Sequence, residues 1–174
     1  MSGPPVLVVG LGHPDRGDDA VGGAVAREVG RVAGPGVEVL EQEDPTDLVL
    51  LWEGRERVVV VDAVSSGGTV APGTVHVLRT GAGRAPIAAG EWSRTGRGGT
   101  HAFGLAGAVE LARALGRLPN DVTVVGVEVS ALDQGAPLTP VVASAVPTAA
   151  LAVLDVLAAA PADAGPPRGA GPRA

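Results

Sequence analysis

The stretch Leu7-Val8-Val9-Gly10-Leu11-Gly12-His13-Pro14-Asp15-Arg16-Gly17-Asp18-Asp19 decides the fold. A short apolar strand ends in a Gly-x-Gly turn, and two adjacent carboxylates follow where a helix should begin. Acid is thereby set at the carboxyl edge of a sheet, the edge at which open α/β proteins keep their ligand sites. Two further groups stand in similar settings. Asp62 closes the run Val58-Val59-Val60-Val61, and His101 precedes a second amphipathic helix.

Working outward, the spacing predicts a helix from about Asp19 to Val32, with Val21, Val25, Val29 and Val32 on its buried face. Gly34-Pro35-Gly36 turns the chain into a strand over Val37–Leu40, and Asp44-Pro45 caps a short helix reaching Trp52. Val58–Val61 is β-branched throughout and suits burial on both faces. Thr74-Val75-His76-Val77-Leu78 alternates like an edge strand, which puts His76 mid-strand on the exposed side as a structural residue. Arg79–Thr100 carries six glycines and Trp92 and is too long for a passive connector, so it reads as a functional loop. A helix over Phe103–Leu115 buries Leu105, Ala108, Val109, Ala112 and Leu115; a strand follows at Val122–Val127, then a helix from Thr139-Pro140 to about Ala159. This alternation predicts an α/β fold: a single three-layer domain, with a mostly parallel twisted sheet and helices on both faces. The domain is expected over residues 1–159, with a disordered tail over 160–174.

Composition narrows the function. Aromatic residues make up only 2% of the 174, so Val, Leu and Ala must fill the core, and nucleic-acid modules built on stacking aromatics are disfavoured. A net charge of -6 without a basic run argues against a nucleic-acid partner. The absence of cysteine excludes a disulfide scaffold, a thiolate metal site and a cysteine nucleophile. The N-terminus lacks a secretory pattern and no segment is an uninterrupted apolar span, so a cytoplasmic protein without a membrane partner is expected.

Gly10-x-Gly12 lacks the third glycine of a dinucleotide fingerprint, and Asp15 would repel a pyrophosphate. Asp18 and Asp19 have an easy structural reading as a helix cap and a partner for the helix dipole. Asp62 and His101 have bland readings too, as a turn residue and a solvated residue. Their coincidence carries more weight, because Asp19, Asp62 and His101 all fall at one edge of a parallel sheet. Two carboxylates held together repel unless a cation or proton intervenes, and an added imidazole suits a borderline divalent metal. Neither a Gly-x-Ser-x-Gly elbow nor His-Glu-x-x-His occurs.

Gly10-Leu11-Gly12-His13-Pro14-Asp15-Arg16-Gly17-Asp18-Asp19-Ala20-Val21-Gly22 resembles the opening motif of the nickel–iron hydrogenase maturation endopeptidases. Val61-Asp62-Ala63 with Pro72-Gly73-Thr74, and Thr100-His101-Ala102-Phe103-Gly104-Leu105, are similar to the second and third motifs. Leu115–Pro119, Gly126-Val127-Glu128 and Leu138-Thr139-Pro140-Val141 resemble the usual ending. The resemblance implies a peptidase that removes the C-terminal extension of a hydrogenase large-subunit precursor after nickel insertion. It implies that Asp19, Asp62 and His101 act as catalytic and metal-contacting residues, with nickel supplied by the precursor and the enzyme a monomer. Asp19 stands where the family often has Glu, and His13 where it commonly has Asn, which makes His13 a candidate auxiliary ligand. Glu41-Gln42-Glu43-Asp44-Pro45-Thr46 lacks the Gly-Gly-Thr of some members and is a candidate determinant of client choice. The rival readings are a peptidyl-tRNA hydrolase, whose opening is similar but whose Tyr and Thr-Arg-His-Asn are missing here, and a nickel-sensing assembly factor that does not cut.

Overall fold

The computed structural model describes residues 6–87 and 104–161. Among these, β1 (Val6–Leu11), β2 (Val37–Gln42), β3 (Arg57–Val64), β4 (Val75–Thr80) and β5 (Asp121–Glu128) form one sheet in the order β2-β1-β3-β5-β4. β1, β2, β3 and β5 run parallel, and β4 pairs antiparallel with β5 at the edge. The expected three-layer arrangement follows from the parity of the strands. Val59, Val61 and Ala63 of β3 pack beneath α1 (Val21–Gly30) and α4 (Pro140–Ala158). Val58, Val60 and Val64 pack beneath α2 (Leu48–Leu51) and α3 (Leu105–Ala114). Strands covered on both faces need apolar side chains at nearly every position, which is why β3 and β5 are buried along their whole length. Trp52, fully buried, is the largest side chain of the α2–α3 side.

Several boundaries differ from the sequence reading. The third strand runs on to Val64, so Asp62 lies two residues inside it rather than at its end. The predicted helix over Asp19–Val32 opens as a 3-10 turn at Gly17–Ala20, and α1 ends at Gly30. Val32 and Leu115 lie beyond the last residues of α1 and α3 and are 65% and 55% exposed, not buried. Asp44 caps its short helix as expected, its side chain accepting from the Thr46 N–H. The tail from residue 162 onward and most of the loop Arg79–Thr100, Trp92 included, lie outside the described residues.

α4 is long and apolar enough to cross a membrane by length and composition, with a mean hydropathy of 2.0. In the fold it buries Val142, Ala145, Ala149, Ala150, Val153 and Val156 among residues of α1 and β5. Charge anchors its C-terminal end. Arg57 and Asp121, paired in register at the amino edge of β3 and β5, form a buried ion pair at 2.8 Å. The same guanidinium donates to the carbonyls of Val156 (3.1 Å) and Ala159 (2.8 Å), where a helix end presents partial negative charge.

Candidate active site at the carboxyl edge of the sheet

Glycine lets α1 press directly onto the strands. A Cβ on Gly22 would meet the Leu11 carbonyl oxygen at 2.1 Å and that of Val61 at 2.6 Å, and one on Gly10 would meet the Gly22 oxygen at 2.2 Å. These are backbone contacts between α1 and the tips of β1 and β3, and no larger residue fits them. The 3-10 turn three residues upstream is consequently fixed over those tips. Gly12 has φ +130, a conformation favouring glycine, and a Cβ there would lie 1.8 Å from the Asp19 carbonyl oxygen. The chain therefore doubles back on itself between Gly12 and Asp19. The His13 N–H donates to Asp19 Oδ2 at 2.9 Å, which holds the carboxylate at the strand tip.

Asp62 stands one residue beyond the last β1–β3 pair, Gly10 with Val61, and is fully buried. Parity places it on the face covered by α2 and α3, between Val60 and Val64. α3 leads through Leu115–Asn120 into the amino end of β5, so its own N-terminus lies toward the carboxyl edge. Asp19 and Asp62 are thus brought to the carboxyl ends of neighbouring parallel strands, both buried. His101 lies outside the described residues, four positions before α3 begins. Among the described residues no three His, Cys, Asp or Glu side chains converge as a metal site.

Asp18 and Asp19 have different roles, and neither is a helix cap: no side-chain capping bond forms at the 3-10 turn or at α1. Asp18 clamps the β5–α4 connection. Its Oδ1 accepts from the Thr139 N–H at 2.7 Å and the Thr139 hydroxyl at 2.9 Å. Its Oδ2 lies 3.3 Å from the Ala131 N–H. Thr139, at the N-cap position of α4, spends its hydroxyl on Asp18 and makes no capping bond of its own. Further backbone bonds join Gly17 to Ala136 (3.0 Å) and Asp18 to Ala131 (2.9 Å). Segments more than a hundred residues apart are welded beside Asp19. The His13 ring turns outward: Nδ1 accepts from the Asp15 N–H at 3.2 Å and Nε2 is 3.8 Å from Glu43.

His76 departs from the sequence reading. It lies mid-strand as expected, but on the α2–α3 face, with Leu78 of the same parity packed in that core. Its Nε2 is 3.5 Å from Glu128 Oε2, and the Glu128 side chain is only 3% exposed. The other carboxylate oxygen accepts from the Ser66 N–H at 2.5 Å and the Ser66 hydroxyl at 2.6 Å. Sequence reasoning passed over Glu128. The available signal was a carboxylate closing an otherwise apolar run, Val122–Val127, directly before the carboxyl edge.

The geometry agrees with comparisons to known proteins. The chain resembles the hydrogenase maturating endopeptidase HybD from E. coli, with TM-score 0.67 and 24% identity over 87% of this chain and 91% of that one. It also resembles hydrogenase maturation protease HybD from Thermococcus kodakarensis, with TM-score 0.63 and 22% identity over 87% and 97% of the two chains. A third likeness is to an endopeptidase from Escherichia coli, with TM-score 0.70 and 23% identity over 87% and 91%. At such identities these likenesses establish the α/β fold. No curated protein matches the chain. The sequence profile described as Hydrogenase maturation protease matches residues 37–156, which include Asp62, His76, His101 and Glu128. With more than half its length matched, the chain belongs to the hydrogenase maturation protease family and is a peptidase.

Proposed function

We propose that this peptidase removes the C-terminal extension of a nickel–iron hydrogenase large-subunit precursor once nickel is in place. Asp19, Asp62 and His101 receive the nickel that the precursor carries, so the metal belongs to the substrate. The observation that carries the reading is the pair of buried carboxylates, Asp19 and Asp62, at the ends of neighbouring parallel strands. Buried like charges repel, and a divalent cation relieves that repulsion while an empty site retains it. Recognition of nickel therefore makes cutting conditional on successful metallation. A nickel ion held by these residues would polarise a carbonyl or acidify a water.

The chain's own contribution is to hold the acceptors. The His13 N–H fixes Asp19, the β3 backbone fixes Asp62, and the Asp18 clamp fixes the β5–α4 connection beside Asp19. His13 is a possible outer contact to the incoming metal through its ring, and the Glu41–Thr46 loop beside it faces the approaching client. The enzyme works as a cytoplasmic monomer on a protein client, with neither nucleic acid nor membrane involved.

Mass spectrometry of a nickel-loaded precursor, before and after mixing, tests the reading. The wild-type protein is expected to release a C-terminal peptide, while precursor lacking nickel stays intact. Asp62→Asn keeps the volume of the side chain and is expected to abolish release while remaining folded. Equal cleavage of nickel-free precursor, or undiminished cleavage by Asp62→Asn, would refute the assignment.

A further inference from the structure

Asp62, Gly126 and His76 stand opposite one another on β3, β5 and β4. Neighbouring strands lie about 4.8 Å apart, which separates the Asp62 and His76 backbones by about 10 Å. All three positions share the α2–α3 face, as Val60, Val124 and Leu78 of the same parity do. Gly126 contributes no side chain to this row, so β5 puts nothing between carboxylate and imidazole.

The imidazole is also backed. Glu128 is a buried carboxylate one step along β5 from the row, with one oxygen held by the Ser66 N–H and hydroxyl and the other facing His76 Nε2. A buried carboxylate is costly unless its oxygens are engaged, and Ser66 and His76 engage both. A fixed carboxylate at one imidazole nitrogen orients the ring. With Nε2 at Glu128, Nδ1 is the nitrogen left for proton transfer. The ring itself is 37% exposed and accessible from outside.

We propose that His76, held by Glu128, is the proton-transfer residue of peptide cleavage; this deepens the reading above and rests on Asp62 lying at the scissile bond. The oxygen of a water bonds to the scissile carbonyl carbon as one of its protons passes to His76 Nδ1. The carbon–nitrogen bond then breaks, and the same proton moves to the departing nitrogen. The products are a carboxylic acid and an amine, and no other reactant is consumed.

The test uses full-length protein and nickel-loaded precursor, with kcat and KM measured for His76→Ala, Glu128→Gln and Asp62→Asn. General acid–base catalysis contributes about 10²–10⁴-fold, so His76→Ala is expected to lose kcat in that range with KM nearly unchanged. Added imidazole is expected to restore part of the His76→Ala rate and none of the Asp62→Asn rate. Glu128→Gln is expected to lose a smaller factor in kcat. A purely structural edge-strand histidine gives no rescue by imidazole. Wild-type kcat in His76→Ala, a defect confined to KM, or no rescue overturns the proposal. If Asp62→Asn is inactive while His76→Ala keeps its kcat, only the proton-transfer assignment falls. If Asp62→Asn also cleaves normally, the reading of the site falls with it.

Discussion

Three glycines of α1 provide an internally controlled test of how the helix sets the site. Replacing a helical glycine by alanine gains up to about 0.5–1 kcal/mol from propensity alone, so any other result measures local space. At Gly30 a Cβ would find Val39 Cγ1 at 3.8 Å, an ordinary contact. Gly30→Ala is therefore expected to stabilise by about 0.5–1 kcal/mol, raising Tm by roughly 1–4 °C in a chain of this size. At Gly23 the neighbour is Glu41 Oε2 at 2.6 Å, the end of a flexible side chain on an exposed ion pair with Arg27. Moving it costs at most about 1 kcal/mol, and Gly23→Ala should come out close to neutral.

Gly22 is the opposite case. Its Cβ would sit 2.1 Å from the Leu11 carbonyl oxygen, and backbone of a central strand cannot step aside. Normal contact begins near 3.4 Å, so the helix must lift by more than 1 Å; overpacking of this kind costs about 1–3 kcal/mol. After the propensity gain, Gly22→Ala should lose about 1–2 kcal/mol and roughly 2–8 °C in Tm. Because Asp19 is three residues upstream, the same shift moves a site carboxylate, and a misplacement near 1 Å costs about 10²-fold in rate. Thermal melts by circular dichroism, paired with precursor cleavage, read both effects. If Gly22→Ala melts and cleaves like Gly30→Ala, the close approach of helix and strand does not exist in solution.

Two further substitutions probe the anchors of the fold. Arg57→Ala leaves Asp121 buried without its guanidinium and should cost about 3–5 kcal/mol in urea unfolding, whereas the apolar double variant Arg57→Met with Asp121→Leu should recover most of it. Equal loss in the double variant would contradict that account. Asp18→Ala strips the acceptor from Thr139 and from Ala131 and should destabilise by about 2–4 kcal/mol. A Tm unchanged from wild type would show that the clamp is dispensable.

Periodicity carried most of the architecture. The valines of β1 and β3 and the i, i+4 spacing of Val21, Val25 and Val29 admit one mostly parallel sheet with helices on both sides, and all but the half-buried Val6 are buried. Asp19 was marked by its place after a strand and a Gly-x-Gly turn, and Asp62 by its place after four valines. What could not be read was pairing between distant segments. Asp18 and Thr139 look like two independent helix-start residues in the sequence, because a hydrogen bond across 121 positions has no local signature. The face of His76 was missed for a related reason. An edge strand has one covered face and one open one, and only the register with β5 shows that position 76 shares the face of Gly126 and Asp62. Helix ends were likewise missed at Val32 and Leu115, where apolar residues continue past the last turn onto the surface.

The grip of Arg57 on the final carbonyls of α4 sets a sharp limit for trimming or fusing this protein at its C-terminal side. A chain cut after Ala159 keeps every acceptor the guanidinium uses, whereas one cut before Val156 removes its carbonyl acceptors and leaves it Asp121 alone. Tags and linkers are accordingly best joined beyond Ala159, at the end of the molecule opposite the carboxyl edge of the sheet.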